Sequence, residues 1–123
     1  MTEYRLAQAE AKFADLIWQN EPIRSKDLVQ MAARELNWKS TTSYTVLRRL
    51  CDRGIFKNQN TVVSSLVTRE QFYSRKSRQF VEETFGGSLP RFFSAFIGSG
   101  KLTSGQAEEI RQMIDKYKEE DNE

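Results

Sequence analysis

Leu36-Asn37-Trp38-Lys39-Ser40-Thr41-Thr42-Ser43-Tyr44-Thr45-Val46-Leu47-Arg48-Arg49-Leu50-Cys51-Asp52-Arg53-Gly54 is the stretch that decides the fold. One helix ends at Leu36-Asn37-Trp38, a short turn follows, and a second helix spans residues 40–53 before Gly54 stops it. At about 100° per residue, Thr41, Thr45, Arg48 and Asp52 fall on one stripe of that second helix, with Arg49 at its edge. Val46, Leu47 and Leu50 lie on the opposite side. Hydroxyls and guanidiniums facing outward from a helix anchored by branched apolar side chains suit the major groove of DNA. With a hairpin opening at Gly54, residues 23–67 read as a winged helix-turn-helix.

Upstream, Ser25 is placed to cap the helix that ends at Leu36, and Asp27 sits in its first turn. Leu28, Met31, Ala32 and Leu36 are its inward positions, and Asn37 suits its C-terminal cap. Trp38 fits as a plug in the angle between the two helices; the alternative is an aromatic that stacks on a base. Ser40 is the expected cap of the recognition helix. Further back, Leu6, Ala9, Phe13, Leu16 and Ile17 recur at helical spacing over residues 3–19, and Asn20-Glu21-Pro22 breaks that helix. Downstream, residues 55–58 and 62–67 flank Gln59-Asn60-Thr61, which gives a short, uncharged wing.

From Thr68 the pattern is helical again. Thr68 with Gln71 forms a capping box for a helix to about residue 85, with Tyr73, Phe80, Val81 and Phe85 on one side. Gly86-Gly87 stops it. Leu89, Phe92, Phe93, Phe96 and Ile97 then follow i, i+3, i+4, i+7, i+8 without a miss. Beyond Gly98-Ser99-Gly100, Ala107, Ile110, Met113, Ile114 and Tyr117 make one more apolar face, and the tail past Lys118 is acidic and expected to fray. A segment this small is marginal as an independent core. Its stripes either pack back on the winged helix or pair with a second copy. The glycine breaks and the change of charge favour pairing, through Tyr73, Phe80, Leu89, Phe92, Phe93, Phe96, Ile97, Ile110 and Ile114. The expected class is therefore mostly α with a small β-hairpin: a winged-helix DNA-binding domain at 1–67 and a helical dimerisation domain at 68–123.

Composition agrees with a folded protein of one or two small domains: 123 residues, 38% hydrophobic and 11% aromatic. A net charge of +2 would not by itself suggest nucleic acid. Its distribution is more telling. Between residues 24 and 57, eight bases (Arg24, Lys26, Arg34, Lys39, Arg48, Arg49, Arg53, Lys57) face three acids (Asp27, Glu35, Asp52). Over residues 101–123 the balance reverses, with seven acids against four bases. A basic middle and an acidic end fit one nucleic-acid face and one protein face, with ordinary solvated surface as the alternative. The single cysteine, Cys51, excludes an internal disulfide and reads as a small core residue. The lack of histidine removes the usual general base and imidazole metal ligand, so no cofactor or metal is expected. No apolar run reaches a membrane span and the N-terminus does not read as a signal peptide, so a cytoplasmic location without membrane insertion is expected.

Thr41, Thr42 and Thr45, with Tyr44 adjacent, are the candidates for base readout: threonine methyls can meet thymine methyls while hydroxyls bond to base edges or phosphates. Arg48 could reach a guanine, and Arg49, Lys39, Ser40 and Arg53 are phosphate candidates. The alternative for the arginines is plain solvation. Two rival functions differ in what they require. A winged-helix protein–protein adaptor would favour a neutral recognition stripe, which this is not. An enzyme would need a nucleophile–base pair or paired carboxylates in a cleft, and the carboxylates lie mostly on exposed helix faces and in the tail.

Ala9-Glu10-Ala11-Lys12-Phe13 followed by Leu16-Ile17-Trp18 resembles the "AE..VM..IW" opening of the penicillinase repressor family, the BlaI/MecI/CopY-type transcriptional repressors. Trp38 with Thr42, Thr45, Leu47, Arg49-Leu50 and Arg53-Gly54 resembles its "W…T..T.L.RL..KG" signature. Gly87-Ser88-Leu89, Phe96-Ile97, Leu102-Thr103 and Glu109-Ile110 are similar to its dimerisation segment. The resemblance implies a homodimeric repressor on a palindromic operator with TACA and TGTA half-sites, controlling genes for β-lactam resistance or related stress. It also implies regulatory cleavage by a protease that a membrane sensor activates, between an asparagine and a phenylalanine. Those positions are Ala95 and Phe96 here, so the family's asparagine is missing. The family's Gly-Arg wing tip and the C-terminal cysteine cluster of its copper-responsive branch are missing too.

Overall fold

A computed structural model describes residues 6–119. In chain order it contains α1 (Gln8–Asn20), β1 (Ile23–Arg24), α2 (Ser25–Glu35), α3 (Ser40–Asp52), β2 (Phe56–Gln59), β3 (Val62–Ser65), α4 (Arg69–Phe85), α5 (Leu89–Ile97) and α6 (Ser104–Tyr117). The chain is mostly helical with one small antiparallel sheet, as its periodicities indicate. Two compact units divide between Phe80 and Val81.

The first unit is built on the apolar stripes. Phe13, Ala14, Leu16 and Ile17 of α1, Leu28 and Ala32 of α2, and Val46, Leu47 and Leu50 of α3 share one core with Ile55, Phe56 and Val63. Ala9, expected on the inner stripe of α1, is exposed. The start expected for this helix at residues 3–5 lies outside the described residues. Trp38 stacks on Phe13 with ring centroids 5.1 Å apart, so it closes the angle between the helices instead of facing a base. Asn37 adopts a left-handed φ of 58°, the backbone that ends a helix after its last turn.

The sheet has the order β1-β3-β2, and β1 was not foreseen. Ile23 pairs with Val63 and Arg24 with Val62, while β2 and β3 form the expected hairpin. Its two-residue turn places both Asn60 (φ 50°) and Thr61 (φ 65°) in the left-handed region, as a primed hairpin turn requires. β1 also corrects the expected cap. Arg24, extended in the strand, stands at the N-cap of α2, and Ser25 is the first helical residue, buried, without a side-chain cap. Its N–H donates to Thr61 O at 2.8 Å, which satisfies one of the open donors at the helix start. Ser40 likewise is the first residue of α3, behind Lys39 at the N-cap. Its side chain makes no cap bond.

α4 enters through the expected capping box: Gln71 N donates to Thr68 Oγ1 at 3.1 Å, and Thr68 N to Gln71 Oε1 at 3.0 Å. Its inward residue is Phe72, which the sequence reading passed over in favour of Tyr73. Phe72 is fully buried, and Trp18 lies against Phe56, Phe72 and Tyr73 at 5.1, 5.6 and 6.2 Å. Trp18 also donates to Val67 O at 3.0 Å, and Arg69 pairs with Asp15 at 3.1 Å. The first turns of α4 therefore complete the winged-helix core, past the boundary expected at residue 67.

In the second unit, α4 ends at the paired glycines. Gly86 takes φ 60° and Gly87 φ 82°, and Gly87 N reaches back to Val81 O at 3.1 Å, closing the helix end across seven residues. Ser88 caps α5 by accepting from Arg91 N at 3.2 Å. Thr103 and Gln106 form a reciprocal capping box on α6. Phe92 meets Phe85 edge-on at 5.7 Å. Even so, none of residues 81–119 is buried.

Candidate nucleic-acid interface

α3 is held from behind and bare in front. Val46, Leu47 and Leu50 fix its inner face, while Lys39, Ser40, Thr41, Thr42, Tyr44, Thr45, Arg48 and Arg49 are all exposed. Lys39, Arg48 and Arg49 have no acidic partner among the described residues. Three cations free of internal ion pairs keep their full charge available to phosphate. The threonines differ from one another. Thr45 Oγ1 donates to Thr41 O at 2.8 Å, so its hydroxyl is engaged within the helix.

Arg53 departs from the expected role. It is the C-cap residue of α3 and its Nη1 lies 3.4 Å from Glu10 Oε1, so it ties the recognition helix to α1 instead of joining the open stripe. Glu10 is only 7% exposed; the same oxygen accepts from Ala7 N at 3.2 Å, and Oε2 is buried without a partner among the described residues. Sequence alone assigns Glu10 no task. Its signal was a carboxylate on the same face of the helix as Phe13 and Ile17.

Ser43 is fully buried on the inner face of α3, and its hydroxyl finds no partner among the described residues. A buried hydroxyl left unsatisfied costs about 1–3 kcal/mol. Ser43→Ala is therefore expected to raise the urea midpoint, by roughly 1 kcal/mol in stability, without changing DNA affinity. A lower midpoint would mean that the hydroxyl is bonded in solution. Cys51 is half-buried at the end of the same helix; burial first, then the neighbouring Asp52 carboxylate, pushes its thiol pKa up. It stays a neutral, small packing group, in keeping with its sequence reading.

The wing presents Lys57, Asn58, Gln59, Asn60 and Thr61 to solvent. Behind it, Glu21 Oε1 accepts from both Ser65 N (2.8 Å) and Ser65 Oγ (2.7 Å), which pins the end of β3 to the segment after α1. No helix among the described residues is long and apolar enough to cross a membrane.

A winged helix with an outward face of exposed guanidiniums and threonines defines a DNA-binding regulator of transcription. The family model described as Penicillinase repressor matches residues 6–116, and the chain belongs to that family of transcriptional repressors, regulatory rather than catalytic. It is similar to the methicillin resistance regulatory protein MecI of Staphylococcus aureus strain Mu50, 22% identical over 117 residues that make up 92% of this chain and 95% of that protein. Proteins of the same name from Mammaliicoccus sciuri and Staphylococcus epidermidis are 21% identical over the same shares.

Proposed function

We propose that the protein represses transcription as a homodimer on an AT-rich palindromic operator, reading each half-site with α3 and controlling genes for β-lactam resistance or related stress. The observation that carries this reading is the outward face of α3, where Thr41, Thr42, Thr45, Arg48 and Arg49 are exposed and the arginines have no ion-pair partner among the described residues. The names of the similar proteins support the gene class.

Self-association is supported by the second unit. Leu89, Phe93, Phe96, Met113 and Ile114 are large apolar side chains left exposed. Patches of this kind on a small chain mark a protein interface. Covering on the order of 800 Å² of apolar surface per chain is worth roughly 20 kcal/mol before the costs of association and ordering. Of the residues expected at the contact, Leu89, Phe93, Phe96, Ile110 and Ile114 remain the core of the proposed interface, joined by Phe80 and by the half-buried Phe92 and Ile97. Tyr73 is already packed against Trp18 and is secondary.

Two half-sites read at once should give specific binding that weakens steeply as salt rises, because phosphates are neutralised and counterions released. Anisotropy titrations of a TACA/TGTA palindrome and a scrambled duplex at two salt concentrations measure both properties. Equal affinity for the two duplexes would refute a specific repressor. Arg49→Ala should weaken both duplexes alike and lower the salt slope by roughly one per half-site. Thr45→Ala should chiefly lower the ratio between them. If neither change alters binding, α3 is not the reading helix.

A further inference from the structure

Thr41, Thr42 and Thr45 look interchangeable in the sequence, yet the helix treats them differently. Thr45 Oγ1 donates its one hydrogen to Thr41 O at 2.8 Å. No such bond engages the hydroxyls of Thr41 or Thr42 among the described residues. A threonine in a helix is stiff at χ1, and a hydroxyl turned back to the carbonyl one turn earlier is one of its two favoured arrangements. With that hydrogen held inside the helix, the exposed Thr45 has its γ-methyl and the lone pairs of its oxygen left for a ligand. The position therefore lacks a free hydrogen-bond donor, and its methyl is its main apolar contact.

The major groove has one apolar feature, the C5-methyl of thymine. We propose that Thr45 selects thymine by methyl–methyl contact, with its hydroxyl retained inside α3, while Thr41 and Thr42 make the hydrogen-bonded contacts of the same helix. The inference rests on the DNA-reading role proposed above. It assigns that role's selectivity at one position to a methyl group and not to a hydrogen bond.

The test uses the full chain and a duplex that the chain itself enriches from a randomised pool. Each thymine of the enriched half-site is replaced in turn by deoxyuridine, symmetrically in both halves, which removes only the methyl. The wild type, Thr45→Val and Thr45→Ser are compared by anisotropy. At one thymine, the wild type should lose about fourfold per half-site, on the order of tenfold for the duplex. Thr45→Val, which keeps the methyl and lacks the hydroxyl, should show the same fold-loss at that thymine, measured against its own affinity for the unsubstituted duplex. Thr45→Ser should bind the thymine duplex more weakly and be indifferent to uracil.

The opposite pattern overturns the proposal: Thr45→Val that loses nothing at uracil, Thr45→Ser with the wild-type uracil profile, or no uracil position that matters. That result would place a base amino group on the Thr45 oxygen. If the chain enriches no sequence at all, the DNA-reading role of α3 fails and this inference falls with it. That outcome is recognisably different from a duplex that is enriched but blind to uracil.

Discussion

Truncation after Ala95 is expected to turn the proposed dimer into a monomer that holds a palindromic operator on the order of 10²–10⁴-fold more weakly than the full chain, because two half-sites would no longer be linked. The cut removes Phe96 and Ile97 together with α6 and its Ile110, Met113, Ile114 and Tyr117. The core built on Phe13, Leu28, Leu50 and Phe72 lies upstream and should keep its own melting transition. Sedimentation gives the mass and anisotropy the affinity; a truncated chain that still dimerises and holds the operator would break the link between this segment and repression. The milder variant Phe96→Ala should weaken the dimer by about 3 kcal/mol if the ring, 73% exposed in the single chain, is buried by a partner. An unchanged dimer constant would leave Phe96 on the surface.

The same geometry bears on how repression ends. The Ala95–Phe96 bond lies inside α5, whereas a protease needs extended backbone, so cutting there requires the helix to open first. With alanine in place of the family's asparagine, we propose induction through a protease of different specificity or without cleavage.

Phe72→Ala should be among the most damaging single changes in the first unit, lowering its stability by about 3–5 kcal/mol. That is a large share of what a small domain possesses. Phe72 has no exposure and its ring lies against Trp18 and, edge-on at 5.2 Å, against Tyr73. Urea unfolding followed by tryptophan fluorescence reads the loss directly. Tyr73→Ala, at a half-buried neighbour, should cost clearly less. Equal effects would mean that α4 docks in a different rotation.

That contrast shows where sequence reading stops. Periodicity gave α5 at its observed bounds because five apolar residues fit one stripe with two glycine breaks around it. Asn37 and the wing turn were legible because their backbone requirements are local. Phe72 and Tyr73 are adjacent aromatics about 100° apart on one helix. Which of them turns inward is decided by Trp18 and Phe56, contacts far away in the chain. β1 is two residues long, too short to carry a period, and exists only through its ladder with β3. Both serine caps failed for a related reason: the chain enters α2 straight from a strand and α3 from extended Lys39. In the candidate site, the exposed threonines and arginines were readable from their spacing. The withdrawal of Arg53 by Glu10 was not, because their pairing is purely tertiary.

The bond from Ser25 N to Thr61 O gives the wing a property that hairpin tips seldom have. Surface turns usually tolerate insertions and are readily lengthened. Here the turn's own carbonyl supplies a partner for the start of α2, from a threonine held in left-handed backbone. One added residue at the tip would move that carbonyl away and leave the first turn of α2 an acceptor short. Wing length and helix position are thus a single heritable trait.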